Sequence, residues 1–188
     1  MFSNKIKIFY QLNILFITLF ISCIHLKSQE IENIIGIAKV IDGDTIKIDS
    51  KKIRLFGIDA PEKKQFCKKP FLSISSISFK KDYPCGEIST NFLKKKIDNK
   101  IINCKSLGMD RYKRYIAECF KGKKNINAFM VQNGQAVAYR KYSPKFISYE
   151  NNAKKEKLGL WAGTFEMPWV YRKKNYSFCN FFSNFLTK

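Results

Sequence analysis

Carboxylates and arginines stand at the ends of β-patterned runs in the first half of the chain. Asp42-Gly43-Asp44-Thr45 closes one run and opens the next, and Arg54-Leu55-Phe56-Gly57-Ile58-Asp59-Ala60-Pro61-Glu62 ends the third. Antiparallel neighbours joined by a short hairpin place the start of one strand beside the end of the other, so Asp44 and Asp59 are expected to converge. Two carboxylates at one sheet end, completed by carbonyl and water oxygens, suit a hard cation such as Ca²⁺ or Mg²⁺ and not zinc or copper. Glu62 beside such a site can take a proton from an attacking water, and Arg54 can hold two phosphoryl oxygens in its rigid fork. A second arginine, offered by Asp110-Arg111-Tyr112-Lys113-Arg114, would complete a clamp on developing negative charge. Hydrolysis of a phosphodiester is the chemistry this set could perform. Singly, Asp-Gly turns and Asp-x-Pro-Glu loops are ordinary structure, so the weight rests on the combination.

The elements that must position these groups are legible from periodicity. Ile34–Ile41, Thr45–Asp49 and Ile53–Ile58 read as strands separated by turn-like Asp42-Gly43 and Ser50-Lys51-Lys52. Glu62–Gly86 has no sustained period and reads as an excursion outside the core. Ile88, Phe92, Leu93 and Ile97 recur at helical spacing, giving a helix over Glu87–Asn99. Ile101–Lys105 and Ile116–Phe120 are the next strands. Asn125 can cap a second helix that Asn133-Gly134 ends, and a third runs from Ile147 to Leu158 before Gly159. Three strands, a helix, two strands and two helices, with no βαβ alternation, argue an α+β domain around a small closed antiparallel sheet.

Taken together and in this order, the motifs resemble the staphylococcal nuclease (thermonuclease) family. Asp42 through Ile48 with Arg54 through Glu62 match its first signature, and Asp110 through Phe120 match its second. Asn133-Gly134, Ala138-Tyr139, Lys154-Lys155-Glu156 and Gly159-Leu160-Trp161 extend the likeness, which spans approximately Ile34 to Arg172. The resemblance implies an OB-fold, a five-stranded antiparallel β-barrel with three α-helices. It implies Ca²⁺ held by Asp44, Asp59 and the carbonyl of Ala60, Glu62 as general base, and Arg54 and Arg114 on the phosphoryl group. Arg111, Tyr112, Tyr139 and Tyr142 would bind substrate. The implied activity is cleavage of DNA and RNA to 3′-phosphate ends. Three departures stand out: a hairpin of only five residues between Ile48 and Arg54, Ala60 in place of a Thr, and Lys113 where Gly or Gln is usual. The alternative is a non-catalytic nucleic-acid-binding OB module. Such domains tend to lose the acids or the arginines, whereas this chain keeps Asp44, Asp59, Glu62, Arg54 and Arg114.

Composition agrees with an anionic partner. The 188 residues carry 35 Lys+Arg against 15 Asp+Glu, a formal charge of +20, and 17 Phe with 9 Tyr exclude a disordered chain. Residues 1–29 hold Lys5, Lys7 and Lys27, no acid, and the apolar stretch Ile14 to Ile24, which reads as an export signal or an uncleaved anchor. Phe20-Ile21-Ser22-Cys23 loosely resembles a lipoprotein cleavage box, so lipidation at Cys23 is a further alternative. The expectation is export from a bacterial cytoplasm to a secreted, periplasmic or membrane-attached state. Residues 30–172 then form the domain, 173–188 a basic, aromatic tail with a stripe of Phe178, Phe181, Phe182, Phe185 and Leu186, and the protein is expected to be a monomer. Its single His lies in the leader and no Cys-x-x-Cys occurs, so zinc has almost no ligands. Cys104 and Cys119, on neighbouring β-runs, are expected to pair, and Cys67 with Cys85 would close a second loop; buried free thiols are the alternative, and Cys179 has no partner in this scheme.

Overall fold

A computed structural model describes the backbone of residues 32–74 and 77–175, and the side chains of these residues outside 73–78. The leader with Cys23, and Cys179 with the Phe stripe of the tail, lie outside the described residues. In chain order the elements are β1 (Asn33–Asp42), β2 (Thr45–Ile48), β3 (Lys51–Leu55), β4 (Ile58–Asp59), β5 (Cys67–Ile74), β6 (Ile77–Tyr83) and α1 (Cys85–Ile97). They continue with β7 (Ile101–Met109), β8 (Tyr115–Lys121), β9 (Lys124–Asn125), α2 (Ile126–Gln132), β10 (Val137–Ala138), α3 (Ile147–Lys155), a 3-10 turn (Gly159–Ala162) and α4 (168–175).

Five strands close into the expected barrel. β1 pairs antiparallel with β2 and β7, β2 with β3, and β7 with β8. The ring is completed by β3 and β8, which run parallel from Ile53↔Tyr115 to Leu55↔Ala117. The antiparallel description therefore needs one correction, and its reason is parity: strand direction cannot alternate all the way round a ring of five. Inward positions follow the two-residue period of a pleated strand, with Ala38 and Val40, Ile46 and Ile48, Ile53 and Leu55, Ile102 and Cys104, and Ala117 and Cys119 all buried. α1 adds Leu93 and Ile97 to this core, and α2 adds Ile126, Met130 and Val131. Each such aliphatic side chain contributes about 1.5–3 kcal/mol of transfer free energy. Asn125 caps α2 as read from sequence, its side chain accepting from the Ala128 N–H at 2.9 Å.

Three features depart from the sequence reading. The third strand does not run through to Ile58: Gly57 at φ +71° turns the chain out of the barrel, and Ile58–Asp59 pairs instead with β10. The excursion after Glu62 is ordered as a two-stranded ribbon, β5 with β6. A disulfide from Cys67 to Cys85 ties the root of the ribbon to α1, and reciprocal backbone hydrogen bonds tie Lys68 to Thr164. Helix α4 is additional to the three expected. Its approach packs Met167 and Trp169 against a second small core of Cys67, Cys85, Val137 and Leu160. Pro168 at its first position suits a helix start, since that N–H has no intrahelical acceptor. The second expected disulfide, Cys104 to Cys119, joins directly opposed residues of β7 and β8 inside the barrel. Among the described residues no helix is long and apolar enough to cross a membrane.

Candidate active site

The Asp42–Thr45 turn between β1 and β2 aims one carboxylate at the third strand. The side chain of Asp42 accepts from the Asp44 N–H at 3.1 Å, which shapes the turn. Gly43 is required by close approach: a Cβ there would stand 2.3 Å from Ser89 Oγ and 2.7 Å from Ala60 Cβ. Asp44 is thereby held against the chain leaving β4, accepting from Thr45 Oγ1 at 2.9 Å and the Ala60 N–H at 3.1 Å. Asp59, in register with Val137, enters from β4 and is fully buried.

Arg54 links the two acids. Thr45↔Arg54 pairing brings the guanidinium beside Asp44, and its fork donates from Nη1 to Asp44 at 2.9 Å and from Nη2 to Asp59 at 2.7 Å. The convergence read from sequence is thus what the fold builds. Glu62 joins through a different arginine. Arg172 on α4 donates to both oxygens of Asp59, at 3.0 and 2.7 Å, and to Glu62 Oε1 at 2.7 Å. Arg172 was invisible to motif reading. Its partners lie 113 and 110 residues away in sequence.

The second arginine is held by its own turn. Arg114 donates from Nε and Nη2 to Asp110, at 2.8 and 2.7 Å, and its guanidinium sits 5.5 Å from the Tyr112 ring. Among the described residues it forms no hydrogen bond or ion pair with Asp44, Asp59 or Glu62. The turn that carries it is tight: Asp110 Oδ1 accepts from the N–H groups of both Tyr112 and Arg114, and Lys113 adopts φ +58°. That left-handed conformation explains why a glycine suits the position and Lys strains it. Arg111 also lies over Tyr112, 4.8 Å from its centroid. Tyr139 and Tyr142 form a separate aromatic group, in edge contact at 4.9 Å, and Trp169 of α4 stacks on Tyr139 at 5.3 Å.

The cluster holds four carboxyl groups, Asp42, Asp44, Asp59 and Glu62, with two guanidiniums. Burial opposes ionisation of Asp44, but Arg54 and the hydrogen bonds it accepts outweigh this and lower its pKa. For Asp59 burial prevails over Arg172 and, with the charge of Asp44, raises the value. Asp42 is pushed up to about 7, by burial first and by Asp44 next. Four carboxyl groups thus face two guanidiniums, with Asp44 and Asp59 buried and Glu62 half-exposed. Among the described residues no three His, Cys, Asp or Glu side chains gather as a metal-holding group. Asp44 and Asp59 are oxygen donors of the class a hard cation takes, and here Arg54 engages both while Arg172 engages both oxygens of Asp59.

The ribbon presents a contrasting surface. Lys68, Lys69, Lys80 and Lys81 are exposed along it, as are Phe71 (71%) and Phe79 (50%). Lys81 lies over Phe71 and Lys69 over Tyr83.

Comparison with known proteins adds to this geometry. The sequence model of the family described as staphylococcal nuclease homologue matches residues 52–163. An uncharacterized endonuclease of Escherichia coli O157:H7 is 34% identical over 146 residues, covering 73% of this chain and 84% of its own. A similarly described endonuclease of Haemophilus influenzae is 33% identical over 139 residues, covering 70% of this chain and 67% of its own. A micrococcal nuclease of Shigella flexneri is 29% identical over 156 residues, covering 73% and 79%.

Proposed function

The chain belongs to the staphylococcal nuclease homologue family, and from this we propose that it is a Ca²⁺-dependent endonuclease of the micrococcal type acting on DNA and RNA with little sequence preference. The observation that carries the proposal is the single hydrogen-bonded cluster in which Arg54 joins Asp44 to Asp59 and Arg172 joins Asp59 to Glu62. A module that only binds nucleic acid needs basic and aromatic surface and has no use for buried acids.

In this reading Asp44, Asp59 and the Ala60 carbonyl hold the cation, which when bound supplies Lewis acidity at a phosphoryl oxygen. Glu62 accepts a proton from the water that attacks phosphorus. The P–O5′ bond breaks, leaving a 3′-phosphate, and the departing 5′ oxygen takes a proton from solvent. Arg54 neutralises charge on the phosphoryl group, and Arg114 joins it by exchanging Asp110 for phosphate. Arg111 and Tyr112 flank that arginine, and Tyr139 with Tyr142 offers stacking faces tolerant of base identity. The lysines of the ribbon and of the domain surface contact backbone, which accounts for weak sequence preference.

Two disulfides are the chemistry of an oxidising compartment. With the leader, they support export from a bacterial cytoplasm to a secreted or periplasmic site, soluble or attached to the membrane. Digestion of plasmid DNA and of RNA by the purified protein, with 5′ and 3′ end analysis, tests the proposal. The expected products carry 3′-phosphates; an intact substrate would overturn it.

A further inference from the structure

Two guanidiniums reach the acidic cluster, and they come from different parts of the fold. Arg54 belongs to the barrel. Arg172 arrives on α4, 110 residues beyond Glu62 in sequence. The Glu62 carboxylate sits in a segment without regular secondary structure, is 38% exposed, and takes its side-chain hydrogen bond from Arg172. Three side-chain torsions would otherwise leave that carboxylate among several rotamers.

Helix α4 is itself held firmly against this segment. Trp169 stacks on Tyr139 with planes 16° apart, and Tyr171 Oη donates to the Lys64 carbonyl at 3.2 Å. Buried Gln65 bridges the two pieces of chain, accepting from the Glu62 N–H at 3.2 Å and donating to the Glu166 carbonyl at 2.7 Å. The Glu62 loop and the approach to α4 therefore form one cross-tied unit, and Arg172 is its contact with the acids.

We infer that Arg172 is a positioning residue of the reaction: from α4 it fixes the Glu62 carboxylate against Asp59, which makes residues 168–172 part of the active site. The inference rests on the nuclease reading for its kinetic consequence. A guanidinium fork suits the task because it spans two acids at once, whereas an ammonium is a point charge. The competing account is that Arg172 merely pins α4 to the barrel.

The test measures kcat and KM on an oligonucleotide for Arg172→Ala, Arg172→Lys, Glu62→Gln and the Arg172→Ala/Glu62→Gln pair, with melting curves for each. Arg172→Ala is expected to lower kcat by about 10²-fold, the scale of a misplaced reacting group, with KM changed far less. Arg172→Lys recovers part of the loss. In the Glu62→Gln background the same Ala substitution costs much less, because residues acting as a unit are not additive. An unchanged kcat below the melting temperature, or losses in the pair that multiply in full, would overturn the inference. Hydrogen exchange supplies an arm independent of turnover: the Glu62 and Gln65 amides exchange faster in Arg172→Ala if the clamp exists, and unchanged exchange refutes it. An inactive wild-type protein would refute the nuclease reading alone.

Discussion

Removing each disulfide separately is expected to produce two distinguishable losses. Cys104–Cys119 closes a separation of 15 residues and Cys67–Cys85 one of 18. In the chain-entropy picture each bridge contributes about 3 kcal/mol, since the dependence on loop length is only logarithmic. At about 2–4 °C per kcal/mol for a domain of this size, each should lower Tm by about 6–12 °C. The two sites differ in what else is lost. Both bridges are buried, so Ala at both positions of either one also leaves a void and adds about 1–2 kcal/mol; what differs is the element each ties, β7 to β8 for Cys104–Cys119. Cys67 and Cys85 join the root of the ribbon to the helix that packs beneath the Glu62 loop, where a Cβ on Gly86 would stand 1.7 Å from the Glu62 carbonyl oxygen. The Cys67→Ala/Cys85→Ala protein should therefore lose turnover as well as Tm, and the Cys104→Ala/Cys119→Ala protein Tm alone. Melting followed by circular dichroism, with cleavage assayed well below each Tm, measures both. Equal melting of both variants with wild type would refute the reasoning, as would loss of turnover confined to the barrel pair.

Other perturbations read out separate parts of the structure. Glu150, buried on α3, accepts from the Ala138 N–H at 3.0 Å and pairs with Arg140 and Lys154, so despite burial its pKa is lowered. A depressed carboxylate stabilises the fold above its unfolded value, 4.5, and that contribution is lost as pH falls through the folded value. Glu150→Gln should cost about 2 kcal/mol near neutrality, the scale of a charge-assisted hydrogen bond, and flatten the decline of Tm below about pH 4.5. An acid limb as steep as wild type would count against it. On the ribbon, Lys69→Ser/Lys81→Ser should reduce the salt slope of single-strand binding by about 1.4, at about 0.7 per lost phosphate contact. Phe71→Ser should weaken binding by about 1–3 kcal/mol at constant slope if a base stacks there. Fluorescence titrations across a salt series separate the two, and an unchanged slope in the lysine variant removes the ribbon from the interface.

What could be read in advance was what neighbours in sequence determine. The Asp42–Thr45 turn and the β3 ending carried their acids to one sheet end because hairpin geometry leaves little choice, and Asn125 announced its helix by side-chain chemistry alone. Gly57 hid the break in the third strand, because glycine within an apolar run is as compatible with a strand as with an exit from one. The ribbon escaped because its pairing is punctuated by an irregularity between Pro70 and Leu72, which breaks the alternation expected of a strand. Arg172 escaped for a different reason. Its partners lie over a hundred residues away, and no local period encodes such a contact. The placement of Arg114 on Asp110 was equally illegible, since the same residues are compatible with either partner.

The central claim is that this acidic cluster cleaves phosphodiesters, and the cleavage rate of Glu62→Gln beside wild type, with Ca²⁺ and with chelator, tests it most directly. Wild type is expected to degrade DNA with Ca²⁺ and to stop with chelator. Glu62→Gln should be slower by about 10²–10⁴-fold, the contribution of a positioned general base, while binding DNA equally well. A wild-type protein that binds DNA but leaves it intact with Ca²⁺, or a Gln variant that cuts at the wild-type rate, would contradict the account.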